Sequence, residues 1–305
     1  MSAPIPYLPS KQPVFDDVSF NGAVFKTVFW SVPKGTQVKG RILFVHGFSD
    51  YYKTHTKFFD KISQDGYEVF TYDQRGAGFT SPGTLKGLTD EFHSFNDLDH
   101  FIESNLKEMK SLGRDLFLVG HSMGGGIVLN YGVKGKYKDQ VRGIVGVAPL
   151  ILLHSSTKPW PLTVKFLEFL LLFMPNMKYE SVMKSQYLTS DPAWREYFDK
   201  DEIINPPFLT LRQGYDFIKR GERLVDVDFI KDWDPKIPTL LIHGDNDRVN
   251  QPEGSQLFVD LLVKTKPGVD ASYVGIVDAR HSLFSEKEEI FQQVYDTFKQ
   301  WVGKH

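Results

Sequence analysis

Short runs of β-branched and aromatic residues recur along the chain, and longer stretches with helical apolar spacing separate most of them. RILFVHG, YEVFTYD, LFLVGHS, VRGIVGVAP and TLLIHGD are apolar over most of their length, as strands buried on both faces are. Their alternation with helices predicts a mostly parallel sheet covered by helices. The opening VSFNGAVFKTVFW reads differently, as a β-hairpin, because Asn21-Gly22 lies between two β-rich runs and suits a type I′ turn. ASYVGIV supplies another strand, and EKEEIFQQVYDTFKQWV closes the chain as an amphipathic helix.

One interval breaks this rhythm. Between Pro149 and about Asp234 no clear strand appears; the text is helical and aromatic, punctuated by Pro159, Pro161, Pro175, Pro192, Pro206 and Pro207. It predicts a helical cap, residues 150–234, inserted into an α/β core built from residues 1–149 and 235–305. There is no internal repeat and no low-complexity tract.

Charge and composition narrow the function. With 36 basic and 38 acidic residues among 305 and no long single-sign block, nothing suggests a nucleic-acid partner. The absence of cysteine removes disulfides, thiolate metal sites and thiol nucleophiles. Prolines in MSAPIPYLPSKQP stand where a secretory signal needs an apolar core, and no Asn-x-Ser/Thr acceptor follows, so an intracellular, cytoplasmic location is expected. The most apolar stretch, Leu162 to Met174, contains Lys165 and Glu168 and ends at Pro175, too short to span a bilayer.

The strongest chemical signal is Gly120-His121-Ser122-Met123-Gly124, directly after the strand LFLV and before the helical pattern GGGIVLNYGVK. A serine on such a sharp strand-to-helix turn projects its Oγ from the sheet, and the glycines let neighbouring elements approach. A phosphate-cradling loop is the rival reading; it fails because no Lys-Ser/Thr follows and no G-x-G-x-x-G opens the first crossover. A serine hydroxyl needs a base, and His281 in DARHSLFS lies between the last predicted strand and the final helix, where the base of this arrangement belongs. The acid falls between them in HGDNDRV, and spacing alone leaves Asp245 and Asp247 open, with Asp278 a weaker third. The developing oxyanion needs backbone N–H donors, by position those of Met123 and of Phe48 in His46-Gly47-Phe48-Ser49-Asp50. No HExxH, histidine pair or carboxylate cluster suggests a metal, and the triad chemistry requires neither metal nor cofactor. Asp73 and Arg75 in DQRGAG read as structural, shaping the loop after a strand.

Together HGFSDYY, FTYDQRGAGFTS, GHSMGGGIVLNYG, VGVAPLILL, HGDNDRV and ARHSLF resemble the monoacylglycerol lipases, in particular the yeast-type branch, over about Phe20 to Trp301. The resemblance implies an α/β-hydrolase fold, a mostly parallel central sheet flanked by helices with an inserted helical cap. It implies the triad Ser122–Asp247–His281, selecting Asp247 because the family's acid stands three residues after the glycine of that motif, and an oxyanion hole at Phe48 and Met123. Animal members carry a glutamate at the position of Asp50 and an arginine near Thr54 around the glycerol head, and a second histidine where this chain has Phe284. Asp50 and Phe284 are therefore candidate substrate contacts at which this chain departs from the animal pattern.

The expected substrate is a monoacylglycerol or similar lipid ester. An acyl chain gains about 0.8 kcal/mol per CH₂ on leaving water, but a monoacyl lipid already has its chain buried in a membrane or droplet, so the pocket gains little over the bilayer. Such an enzyme benefits from docking on the lipid surface, and the WPLTVKFLEFLLLFMP segment offers the apolar side chains for peripheral contact, with Phe166, Leu167 and Leu170 as further candidate substrate contacts. A short-chain esterase or lysophospholipase shares this chemistry. Dehalogenases and epoxide hydrolases of related fold use an aspartate nucleophile, which Ser122 argues against, and a non-catalytic binding protein would lack one of the groups present here.

Overall fold

The computed structural model describes residues 3–158, 160–181 and 183–305, and for Pro161 and Leu162 the backbone alone; Pro159, one of the expected punctuating prolines, lies outside the described residues. The hairpin is β1 (Val14–Phe20) and β2 (Ala23–Trp30), joined through Asn21 and Gly22 at φ 44° and 76°, the positive values a type I′ turn requires. β3 (Gly40–Val45), α1 (Thr56–Gln64), β4 (Tyr67–Tyr72), α2 (Glu91–Ser111), β5 (Asp115–His121), α3 (Met123–Lys134) and β6 (Gly143–Val147) follow. The inserted segment then carries α4 (Pro161–Leu171), β7 (Lys178–Glu180), α5 (Ser185–Leu188), α6 (Pro192–Lys200), β8 (Phe208–Thr210), α7 (Leu211–Leu224) and α8 (Val227–Ile230). β9 (Thr239–Gly244), α9 (Pro252–Thr265), β10 (Ala271–Ile276) and α10 (Glu288–Lys304) complete the core.

Eight strands form one sheet in the order β1-β2-β4-β3-β5-β6-β9-β10, parallel from β4 onward and antiparallel at the hairpin edge. Successive residues of a strand face opposite sides, and the core divides accordingly. Ile42 and Phe44 pack with α1 and α10 through Phe58, Phe59, Phe291 and Phe298. Leu43 and Val45 pack with α2, α3 and α9 through Leu98, Phe101, Ile127 and Phe258. Full burial of each such side chain contributes about 1.5–3 kcal/mol, and only a strand apolar on both faces collects it from both layers. Because β4 and β5 flank β3 on opposite sides, the winding reverses between β3 and β5, and the crevice outside the carboxyl ends of strands at such a reversal is where ligands bind in open α/β sheets.

The segment between β6 and β9 differs from the sequence reading in two respects. It contains two strands, β7 and β8, paired antiparallel with Lys178 opposite Thr210. Each is three residues long, too short for an alternation to register, and their pairing is supplied by tertiary context. The apolar helix ends at Leu171 rather than Met174, because Met174 precedes Pro175 and a residue before proline is pushed out of the helical region. α4 packs on α7, with Val164, Leu167 and Leu170 half-buried, while Phe166, Phe169, Leu172 and Phe173 are 58–75% exposed. Among the described residues no helix is long and apolar enough to cross a membrane.

Candidate active site

Ser122 stands between the end of β5 and the start of α3 at φ 54° and ψ −119°, a strained backbone for a residue with a side chain. Three bonds hold it there: Ser122 N–H donates to Val147 O at 2.9 Å, and Ser122 O accepts from Gly126 N–H at 3.0 Å and Leu150 N–H at 2.9 Å. The flanking glycines are steric necessities. A Cβ on Gly120 would lie 2.3 Å from Gly124 O, and one on Gly124 would lie 2.1 Å from Val45 O.

His281 occupies the loop after β10, and its Nε2 lies 2.8 Å from Ser122 Oγ. Its Nδ1 lies 2.7 Å from Asp247 Oδ2. All three residues are buried. Gly244 lets the two loops meet, since a Cβ there would lie 2.3 Å from Ala279 O. Asp245 is exposed and serves elsewhere: its Oδ1 accepts from the N–H of Asp278, which has φ 59°. The spacing ambiguity between the two aspartates is thus resolved by direction, one turned to the imidazole and one to a neighbouring turn.

Asp247 is saturated with donors. Oδ1 accepts from Val249 N–H at 2.7 Å and Asn250 N–H at 3.0 Å, while Oδ2 also faces His243 Nε2 at 3.0 Å. Burial pushes its carboxyl up, but the charge and hydrogen bonds of His281 and His243 outweigh burial and hold it well below the usual carboxylate range. His243, a histidine near the end of β9 that the sequence reading does not single out, bridges Asp247 and Ser255 Oγ with its ring, the latter at 2.7 Å. The signal was present in the four-residue spacing from the strand histidine to the acid.

Ser122 and His281 open onto a cavity of about 430 Å³, within the range of small-molecule sites. Leu150, Leu153, Met183, Leu209, Phe217 and Val249 form an apolar wall, and Asp50, His55 and His121 form a polar corner beside the serine. Phe284 also lines it, stacked on Phe58 with ring centroids 4.1 Å apart. Phe166, Leu167 and Leu170 do not line it, which corrects their expected place: α7, on which α4 packs, is the helix presenting Phe217 and Ile218 to the cavity.

Asp50 shapes the loop that carries Phe48. Its oxygens accept from Gly47 N–H at 3.2 Å, Tyr51 N–H at 2.8 Å, Thr54 Oγ1 and His55 Nε2 at 2.7 Å. Burial raises its pKa, and the neighbouring His55 and His121 more than reverse this, leaving it well below the ordinary value. Ligand atoms of Asp50, His55 and His121 lie within 4.8 Å of one another, the spacing of a metal site. Asp50 Oδ2 already takes two hydrogen bonds from His55 and Gly47, so the group is arranged as a donor–acceptor network. Asp73, fully buried, accepts from the N–H groups of Tyr52 and Phe79 and fixes the adjoining loop, with its pKa raised by burial to about 7.

Met123 is the first residue of α3, where a backbone N–H has no intrahelical acceptor, and Phe48 follows Gly47 at the exit of β3. Fold and site define a serine hydrolase of the α/β-hydrolase class. The model of a family described as serine aminopeptidase, S33, matches residues 36–288, and the chain is 41% identical to the monoglyceride lipase of Saccharomyces cerevisiae over 99% of this chain and 97% of that protein. The chain belongs to this family and, within it, to the monoglyceride lipases. It is 26% identical to the monoglyceride lipase of Homo sapiens, covering 94% of this chain and 89% of that one. A crystal structure of a soluble variant of the Saccharomyces cerevisiae monoglyceride lipase in complex with a substrate analog matches with a TM-score of 0.93, 41% identity and 99% coverage of both chains.

Proposed function

We propose that this chain hydrolyses monoacylglycerols to glycerol and free fatty acid. Ser122 Oγ attacks the ester carbonyl while His281 Nε2 takes its proton, and the N–H groups of Phe48 and Met123 receive the developing oxyanion. The tetrahedral intermediate collapses as His281 returns the proton to the leaving glycerol oxygen, giving an acyl-enzyme on Ser122. Water, deprotonated by His281, then releases the fatty acid. Asp247 keeps the proton on Nδ1 and stabilises the imidazolium. The observation that carries this reading is the imidazole set between Ser122 Oγ at 2.8 Å and Asp247 Oδ2 at 2.7 Å, facing a largely apolar cavity.

The exposed face of α4 and the turn after it, with Trp160 beside them, docks the cavity on a membrane or lipid-droplet surface. The enzyme is accordingly peripherally bound. Fluorophosphonate labelling with peptide mapping, followed by rates on a panel of monoacylglycerols, lysophospholipids and short esters, tests the proposal. Labelling of Ser122 and fastest turnover of monoacylglycerol are expected. A preference for lysophospholipid or short esters would instead define a different carboxylester hydrolase.

A further inference from the structure

The base sits on irregular chain. From Asp278 to Glu286 neither strand nor long helix intervenes, yet His281 must keep both ring nitrogens on their partners. The core holds this loop through Asp245 on the Asp278 N–H, His121 Nε2 at 3.2 Å from His281 O, and Thr54 O, which accepts from Ser285 Oγ. The inserted segment adds a second set of bonds. Ser282 N–H donates to Leu188 O at 2.7 Å, and His281 N–H faces Tyr187 O at 3.5 Å. Arg280 Nη1 donates to the carbonyls of Gln186 and Thr189, at 2.7 and 2.9 Å, and Thr189 Oγ1 donates to Ser285 O at 2.7 Å.

Glu286 ties these strands of chain together. Its side chain is wholly buried. Oε1 accepts from the backbone N–H of Arg280, the residue before the base, at 3.0 Å. Both oxygens accept from Ser190 N–H at 3.0 Å, and Oε2 also accepts from the Ser190 hydroxyl. One carboxyl group thus clamps the near side of His281 to the end of the segment whose Tyr187 and Leu188 line the cavity.

We propose that Glu286 is a positioning residue for catalysis, holding the His281 loop against residues 186–190 so that the imidazole stays between Ser122 and Asp247. It touches neither substrate nor reacting atoms and acts through the Arg280 and Ser190 amides. Since every contact of the carboxyl group is with a donor, Glu286→Gln replaces an acceptor oxygen by an NH₂ that faces an N–H, with little change of shape.

The proposal rests on the triad reading above. It is tested with Glu286→Gln and p-nitrophenyl butyrate, reading kcat and KM separately together with the low-field proton resonance of His281 Nδ1–H. The expected result is a kcat lowered about 10- to 100-fold, the scale on which outer partners of a site act, with KM nearly unchanged and the resonance shifted or broadened. A variant that melts lower but keeps the wild-type kcat and resonance overturns the proposal. Should Glu286→Gln fail to fold, Ser190→Ala, which removes only the hydroxyl donor, is read the same way: a smaller kcat loss with a shifted resonance supports the clamp, and wild-type values in both overturn it. A wrong triad shows in the wild-type enzyme, as absence of fluorophosphonate on Ser122, whereas a wrong role for Glu286 shows only in the variants.

Discussion

His243 shares with His281 a single oxygen of Asp247, at 3.0 and 2.7 Å. The acid that orients the base is itself oriented, by a histidine one residue before the end of β9 whose second nitrogen rests on Ser255. Loss of a hydrogen bond to a charged group costs about 1.5–3 kcal/mol, so His243→Leu is expected to lower kcat by roughly tenfold or more with KM little affected. Steady-state kinetics on a soluble ester check it; unchanged kcat means Asp247 is held well enough by Val249 and Asn250 alone.

The same contact has a pH signature. The Asp247 carboxyl is depressed in the folded state, so the unfolded chain binds its proton more readily. The stability it contributes is present above about pH 4, the unfolded value, and is lost as pH falls below that toward the folded value. His243→Leu lessens the depression. Urea unfolding at a series of pH values should therefore show a wild-type advantage that is greatest above about pH 4 and narrows below it; an advantage constant through that range contradicts the assignment.

Ser122→Ala and His281→Ala are each expected to lower turnover by about 10⁶, and their combination by little more, because the two act as one unit. Asp247→Asn should keep the fold and lose about 10⁴ through the wrong tautomer. Asp245→Asn keeps an oxygen for Asp278 and should leave turnover near wild type. Multiplicative losses in the double variant, or a greater loss at Asp245, would remove the triad as assigned.

At the elbow, Gly124→Ala puts a methyl 2.1 Å from Val45 O, a backbone atom with nowhere to go. Destabilisation of about 1–3 kcal/mol or more is expected from the overpacking, with Ser122 displaced and activity lost. A folded, fully active Gly124→Ala enzyme would show that the helix and β3 are less closely apposed than described.

On the surface, Phe169→Asp combined with Phe173→Asp should weaken liposome association and hydrolysis of vesicle-borne monoacylglycerol while sparing a short soluble ester. Both side chains are more than half exposed, so stability should hold. Joint collapse of both activities and of the melting temperature would make these rings packing residues, and no change in either would move lipid contact elsewhere.

The inner strands of the sheet were legible in the sequence because β3, β5, β6 and β9 are buried on two faces, and an apolar run such as RILFV has few other uses; the exposed edge strand β1 was legible through its Asn21-Gly22 turn instead. Ser122 was legible for a related reason: the elbow admits only glycine at positions 120 and 124, so sterics write themselves into the text. Asp245 and Asp247 were not separable by spacing, since the choice lies in the orientation of a turn fixed by Asp278, a residue more than thirty positions away. β7 and β8 were invisible because three residues carry no periodicity. Phe166, Leu167 and Leu170 were misplaced because composition shows that a helix is apolar, not which neighbour stands between it and the cavity.

The inserted segment leaves the sheet at the carboxyl end of β6 and returns to enter β9, its spatial neighbour. Chain added or removed there alters how many residues part the nucleophile from the acid, yet neither residue shifts in space. A lineage can therefore remodel the exposed face of this segment while inheriting the reaction centre unchanged, except along residues 186–190, where the visiting segment grips the base and is no longer free to drift.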